Sequence, residues 1–296
     1  MSTWTKSLDA AGIRDAGLRE DYGAQRELVK HSRSTAYLAA RWLLPRRVLP
    51  HVLAATAVME HGDNLLDTGP LPERERAWAA WEERVRKALD TGDSDDPLIR
   101  TLAHTITAYP RMRETAETYL ATAPAELTFT GFATESGYQS YLDAYSVPAF
   151  MLIGTLLGPQ DDTAPSFRAA CRTFIEGAQR LDFVNDLAED LREGRPGIPS
   201  DTLTRFSLTA DDLTKDPDPS ALRALVDHEV TLARTSLEKA RNLPLLAPPP
   251  HRRLLSTLVE VELLTADAVS KRGADVLNGS ASPSRLRMLG LLLRGR

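Results

Sequence analysis

Apolar positions recur at spacings of three and four along most of the chain, the period of a helix with one buried face. Residues 19–42, 46–67, 73–90, 97–122, 135–157, 163–193, 220–242 and 250–278 carry this pattern. Breakers separate them: Leu44-Pro45, Gly69-Pro70, the acidic stretch Asp90 to Pro97, Gly158 to Pro165, Gly194 to Pro199, Asp216 to Pro219 and Ala247 to Pro250. Ala, Leu, Arg and Glu dominate, and the strict alternation of a half-buried strand is scarce. The pattern therefore predicts an all-α fold. No repeat of solenoid period occurs, and no breaker is long enough for a domain linker. One domain over residues 1–296 is the economical expectation.

Composition narrows the picture without changing it. The chain has 296 residues, 42% apolar and 26% charged, enough to bury a large core and too apolar for a disordered or fibrous protein. Lys and Arg number 36 against 41 Asp and Glu, a net charge of −5. That balance argues against a broad nucleic-acid surface, which needs clustered cations. The single cysteine, Cys171, excludes an internal disulfide and a Cys-based zinc site, and fits a reducing cytoplasm. The opening MSTWTKSLDAAGIRD lacks the apolar stretch of a signal peptide, and no run of about 18 uncharged apolar residues occurs, so no spanning helix is expected. The basic, apolar ending SRLRMLGLLLRGR is expected to be a last helix packed on the body, with contact to a membrane surface as the alternative.

The candidate chemistry lies in two acidic segments. In MEHGDNLLD, Asp63 and Asp67 are four apart and share one helix face. In QRLDFVNDLAED, Asp182, Asp186 and Asp190 form one stripe with Gln179 beside them. Leu181, Val184, Leu187 and Leu191 take the other side. Like charges at this spacing repel, so the stripes weaken their helices unless something cationic compensates. Either stripe alone reads more readily as a solvated helix face. Two in one helical chain suit Mg²⁺, which takes a few carboxylates plus substrate phosphates. A phosphate loop, a dinucleotide fingerprint, H-E-x-x-H and a nucleophile elbow are all missing.

QRLDFVNDLAEDLREGRPGIPSDTLTRF resembles the second aspartate-rich motif of the squalene/phytoene synthase family, where a Gln, an Asn-x-x-x-Asp and a Glu-Asp run into a Gly-Arg and a Pro turn. HSRSTAYLAARWLLP is similar to the family's His-Ser-Lys-Ser-Phe opening, DNLLD stands at its first Asp-x-x-x-Asp, and DAVSKRGADVL resembles its last core helix. The matches run in family order over about residues 25–295. The resemblance implies a single-domain isoprenoid-synthase helical bundle with a central cavity. It further implies Mg²⁺, an allylic prenyl diphosphate substrate and ionisation to an allylic cation. By position, Asp63, Asp67, Asp186 and Asp190 would hold Mg²⁺, and Asp182 joins them where the family has an Asn. Gln179, His31, Ser32 and Arg33 would bind substrate. Tyr141 matches an aromatic position near the reacting cation.

Several positions depart from the family pattern. Glu60 stands where the family has an Arg, and Asn64 replaces an Asp. Phe150 falls where a later Gly lets a long prenyl tail pass. Glu262 replaces a Tyr on the last core helix, and Gly197 replaces the Tyr of the Arg-x-Tyr-Leu-Pro exit. An added carboxylate opposes a second diphosphate, and a Phe shortens a tail channel. The favoured expectation is therefore prenyl transfer to a small aromatic or N-heteroaromatic acceptor, with Glu60 and Glu262 as catalytic candidates. Head-to-head joining of two prenyl diphosphates is the main alternative. Terpene cyclisation and a non-catalytic binding protein stand behind it.

Overall fold

A chain with no alternating apolar runs should contain no sheet, and none occurs among the described residues of the computed structural model, residues 2–215 and 217–293. Met1, Asp216 and residues 294–296, which close both the 1–296 span and the basic C-terminal segment, lie outside the described residues. The rest groups into two compact units. The first is Met1–Leu127, Pro148–Arg168 and Leu245–Leu254; the second is Thr128–Val147, Ala169–Pro244 and Leu255–Arg296.

The first unit opens with α1 (Thr3–Ala10), α2 (Ala16–Ser32), α3 (Ser34–Leu43), α4 (Leu49–Asp67), α5 (Leu71–Thr91), α6 (Pro97–Ala108) and α7 (Met112–Thr122). Helix α1 is outside the spacing pattern; Ser2 caps it, and Leu8 packs with Ile13, Tyr22 and Ala54. Residues 49–58 of α4 are all buried, so this helix is central, with α2, α5 and α6 packed on it. The segment expected to be helical over 19–42 breaks at Arg33 (φ −129°, ψ 55°). The segment over 97–122 breaks at residues 109–111, where Pro110 has no N–H to donate.

A polar knot lies inside this unit. His51 is 1% exposed, and its Nδ1 is 3.0 Å from the Thr105 hydroxyl and 3.2 Å from the Tyr22 hydroxyl. Its ring stacks on His104 at 5.9 Å. Burial, then the neighbouring His104 and Arg47, pulls His51 down to about 4. The unfolded chain takes up this proton near pH 6.5. The contribution is therefore complete above pH 6.5 and is lost as pH falls toward 4, by roughly 3 kcal/mol. The urea unfolding free energy of the wild type should fall across that window more steeply than that of His51→Gln. Parallel slopes would remove His51 from the account.

The later helices are α8 (Glu135–Tyr141), α9 (Val147–Leu157), α10 (Ala164–Asn185), α11 (Leu187–Glu193), α12 (Ser200–Arg205), α13 (Ala210–Thr214), α14 (Pro219–Lys239), α15 (Leu243–Leu246), α16 (Arg252–Arg272) and α17 (Arg285–Leu293). Between α8 and α9, Leu142–Ser146 is a π turn, closed by the Val147 N–H on the Leu142 carbonyl. The expected helix over 163–193 is interrupted at Asp186 (φ −101°, ψ 13°). The Asp186 N–H still bonds Asp182 O at 2.8 Å, and the Asp190 N–H bonds Asp186 O at 3.0 Å, so the three acids keep their spacing.

The second unit buries a cluster of Phe132, Tyr138, Leu142 and Phe183, with Phe129, Tyr141 and Ile175 packed on it. Beside it, buried Arg180 donates to Glu229 Oε2 at 2.8 Å, pairs with Glu135 and lies 4.4 Å over the Tyr138 ring. In the described part of α17, Leu286 is 81% exposed. One stretch, Glu135–Leu157, is long and apolar enough to cross a membrane by length and composition, and 56% of its apolar window is already covered by protein.

Candidate active site

The first acid set ends α4. Glu60, His61 and Asp63 are half-buried and Asp67 is exposed. Arg33, at the break between α2 and α3, donates from Nε to Glu60 Oε2 at 2.7 Å, and its Nη2 lies 3.9 Å from Asp63 Oδ2. The guanidinium thus pairs locally with the carboxylate at Glu60. His31 and Ser32 are exposed and turn back on α2. His31 Nδ1 is 2.7 Å from the Glu27 carbonyl, and the Ser32 hydroxyl donates to Leu28 O at 3.2 Å. Only the other imidazole nitrogen remains for a ligand.

Tyr119, from α7, is a member of this set that spacing alone does not reveal. Its hydroxyl is buried with no hydrogen-bond partner. Burial, followed by the charges of Asp63 and Asp67, holds it well above the ordinary phenol range. Gly62 makes room for it, because a Cβ there would overlap the hydroxyl. Phe150, on α9, leans over its own helix, with Cε1 3.6 Å from where a Cβ on Gly154 would sit.

The second acid set belongs to the other unit. Ser146, at the end of the π turn, donates to Gln179 Oε1 at 3.0 Å, and Gln179 Nε2 donates to Asp182 Oδ2 at 3.3 Å. Asp186 Oδ1 accepts from the Ser280 hydroxyl at 2.7 Å. Asp190 Oδ2 is buried without a donor. Burial, then the charges of Asp186 and Asp182, lifts Asp190 to about 7. Glu262 on α16 is also lifted to about 7, by burial and then by Asp182.

Tyr141 sits at the partly exposed edge of the aromatic cluster. Its ring centroid is 4.9 Å from Phe129, 5.3 Å from Phe132, 5.5 Å from Tyr145 and 6.1 Å from Phe183, all in the range of favourable ring contacts. Phe183 also fills the space beside Gly197, where a Cβ would overlap its ring. An aromatic ring from α10 therefore occupies the space that any side chain on residue 197 would need.

These residues fit Mg²⁺. A carboxylate oxygen buried without a donor, next to two more acids, calls for a proton or a cation. Among the described residues no group of three or more His, Cys, Asp or Glu side chains encloses a metal by itself. Phosphate oxygens of a substrate would have to complete the shell, which is the usual habit of Mg²⁺.

The chain matches the squalene/phytoene synthase family model over residues 28–287. It is 28% identical over 256 residues to the bifunctional protein CrtB/UppS of Streptomyces coelicolor, covering 83% of this chain and 45% of that protein. It is 24% identical to phytoene synthase 3 of Zea mays, covering 76% of this chain and 54% of that one. The chain thus spans about half the length of these curated relatives. Among solved structures, squalene synthase HpnC from Alicyclobacillus acidocaldarius shares the fold with a TM-score of 0.78 at 23% identity, over 89% of this chain and 98% of that one. A dehydrosqualene synthase does so with a TM-score of 0.81 at 19% identity, over 93% and 95%. The aspartate motifs, the all-helical fold and the match across both units place the chain in the squalene/phytoene synthase family of prenyl-transferring enzymes.

Proposed function

We propose that the chain ionises allylic prenyl diphosphates with Mg²⁺ and joins two of them head to head. The observation that carries this reading is the second acid set, where Asp182, Asp186 and the donor-less Asp190 lie beside Gln179. Mg²⁺, when bound, neutralises the diphosphate and makes it a better leaving group. Asp63 and Asp67 in the first unit, and Asp182, Asp186 and Asp190 in the second, would each offer carboxylates to Mg²⁺, and Ser146 fixes Gln179, which in turn orients Asp182. Arg33 offers donors to phosphate oxygens, His31 does so from its free ring nitrogen as an imidazolium, and Ser32 would first have to release the Leu28 carbonyl. When the allylic C–O bond breaks, its electron pair leaves with the diphosphate and the carbon becomes cationic. Tyr141 presents a π face to that cation. The double bond of the second prenyl chain attacks it, and a carboxylate takes up the proton that is lost.

The Arg33–Glu60 ion pair favours this reading over an acceptor without phosphate, because it removes the repulsion expected at Glu60. Transfer to a small aromatic acceptor is the second reading, favoured by Glu262: a carboxyl near 7 can hold an N–H or O–H and accept the proton released when aromaticity returns. Incubation with Mg²⁺ and C5 to C20 allylic diphosphates, with and without aromatic acceptors, separates the two by product mass. A doubled prenyl chain without acceptor supports condensation. Acceptor-dependent product alone overturns it in favour of the second reading.

A further inference from the structure

Where α10 gives way to α11, the segment that follows the last core helix returns to the second acid set. Gly279, at φ +120° and ψ 165°, turns the chain out of the tight turn Gly273–Asn278, a conformation that side chains with a Cβ rarely adopt. The next two residues then meet the break. The Ser280 hydroxyl donates to Asp186 Oδ1 at 2.7 Å. The Ala281 N–H donates to Asn185 Oδ1 at 2.6 Å, and Asn185 Nδ2 donates back to the Ala281 carbonyl at 3.1 Å. The Asn185 amide thus satisfies both backbone groups of one residue, as a neighbouring strand would.

We infer that Ser280 and Asn185 are positioning residues for Asp186, and that residues 279–281 clamp the second acid set. The inference rests on the reading that Asp186 holds Mg²⁺. At the break the Asp186 backbone has left the regular helix, so its carboxylate needs another anchor. Ser280 occupies one lone pair of Oδ1 and leaves Oδ2 and the remaining lone pairs for a cation. A donor held on a ligand carboxylate in this way fixes its orientation and tunes its affinity for metal. The paired Asn185–Ala281 bonds hold the serine in place.

Binding of Mn²⁺ in the presence of inorganic diphosphate, followed by electron paramagnetic resonance, tests the clamp without turnover. Ser280→Ala should weaken Mn²⁺ binding about ten- to a hundredfold, the usual cost of losing a donor that orients a metal ligand, and Ser280→Thr should restore it to within about twofold. Asn185→Ala should shift binding the same way and strip hydrogen-exchange protection from the Ala281 amide in the metal-free protein. Equal Mn²⁺ affinity in wild type and Ser280→Ala overturns the inference. So does a loss of affinity that tracks a lower melting temperature and is not rescued by Thr, which would mark a mere structural staple. A wild type that binds no Mn²⁺ defeats the metal assignment itself, and the clamp's purpose falls with it.

Discussion

EDTA should abolish diphosphate release, and Asp186→Ala should come close to doing so. Burial, then the charges of Asp186 and Asp182, lifts Asp190 to about 7, and a further anion beside these acids is repelled unless a cation comes too. A diphosphate leaving group brings about three more negative charges. Removing the metal, or the carboxylate that Ser280 orients, withdraws the stabilisation that the departing oxygens need. The loss expected is a thousandfold or more, roughly 4 kcal/mol of barrier. Asp186→Asn keeps a carbonyl oxygen for Ser280 but loses the charge, and should fail as badly. Release of labelled diphosphate measures all three. Full turnover in EDTA would sink the metal assignment for both acid sets.

The largest effect on stability is expected at Arg180. Glu229 is 1% exposed and has one carboxylate oxygen already without a donor. The other oxygen depends on Arg180, which also pairs with Glu135 and covers the Tyr138 ring. Arg180→Met keeps most of the apolar stem but strands a buried carboxylate. Breaking a buried pair from one side costs about 3–5 kcal/mol, more than the pair contributes over an apolar replacement. Urea unfolding should show this loss, and Arg180→Met combined with Glu229→Leu should recover most of it. A single-variant loss under about 1 kcal/mol would mean that water reaches Glu229.

Much of this molecule is legible in its sequence, because helix period and breaker residues are local signals. The all-α fold follows from them, and so do most helix ends: Gly69-Pro70 parts α4 from α5, and Asp96 caps α6 through the N–H groups of Leu98 and Ile99. The same logic misses α1, whose single buried turn is too short to show a period. It also reads through Arg33 and Asp186, since a break of one residue leaves the apolar spacing intact. At the site, spacing finds the aspartates but not what conditions them. Tyr119, Ser146 and Ser280 reach Asp67, Gln179 and Asp186 from segments 33 to 94 residues away, and no spacing rule joins them. Glu60 shows the converse. Its charge is plain in the sequence, yet its effect is set by Arg33, 27 residues earlier and 2.7 Å away.

The π turn at Leu142–Ser146 holds one residue more than an α-helix would need to cover the same rise. An extra residue rotates everything before it by about 100° relative to everything after it. Tyr138 and Tyr141, before the turn, face the aromatic cluster, and Ser146, at its end, faces Gln179. Deletion of a single residue inside the turn would leave both faces chemically unchanged and still uncouple them. Loss of one residue from this bulge would therefore turn a different face of the preceding helix toward the aromatic cluster without replacing one side chain.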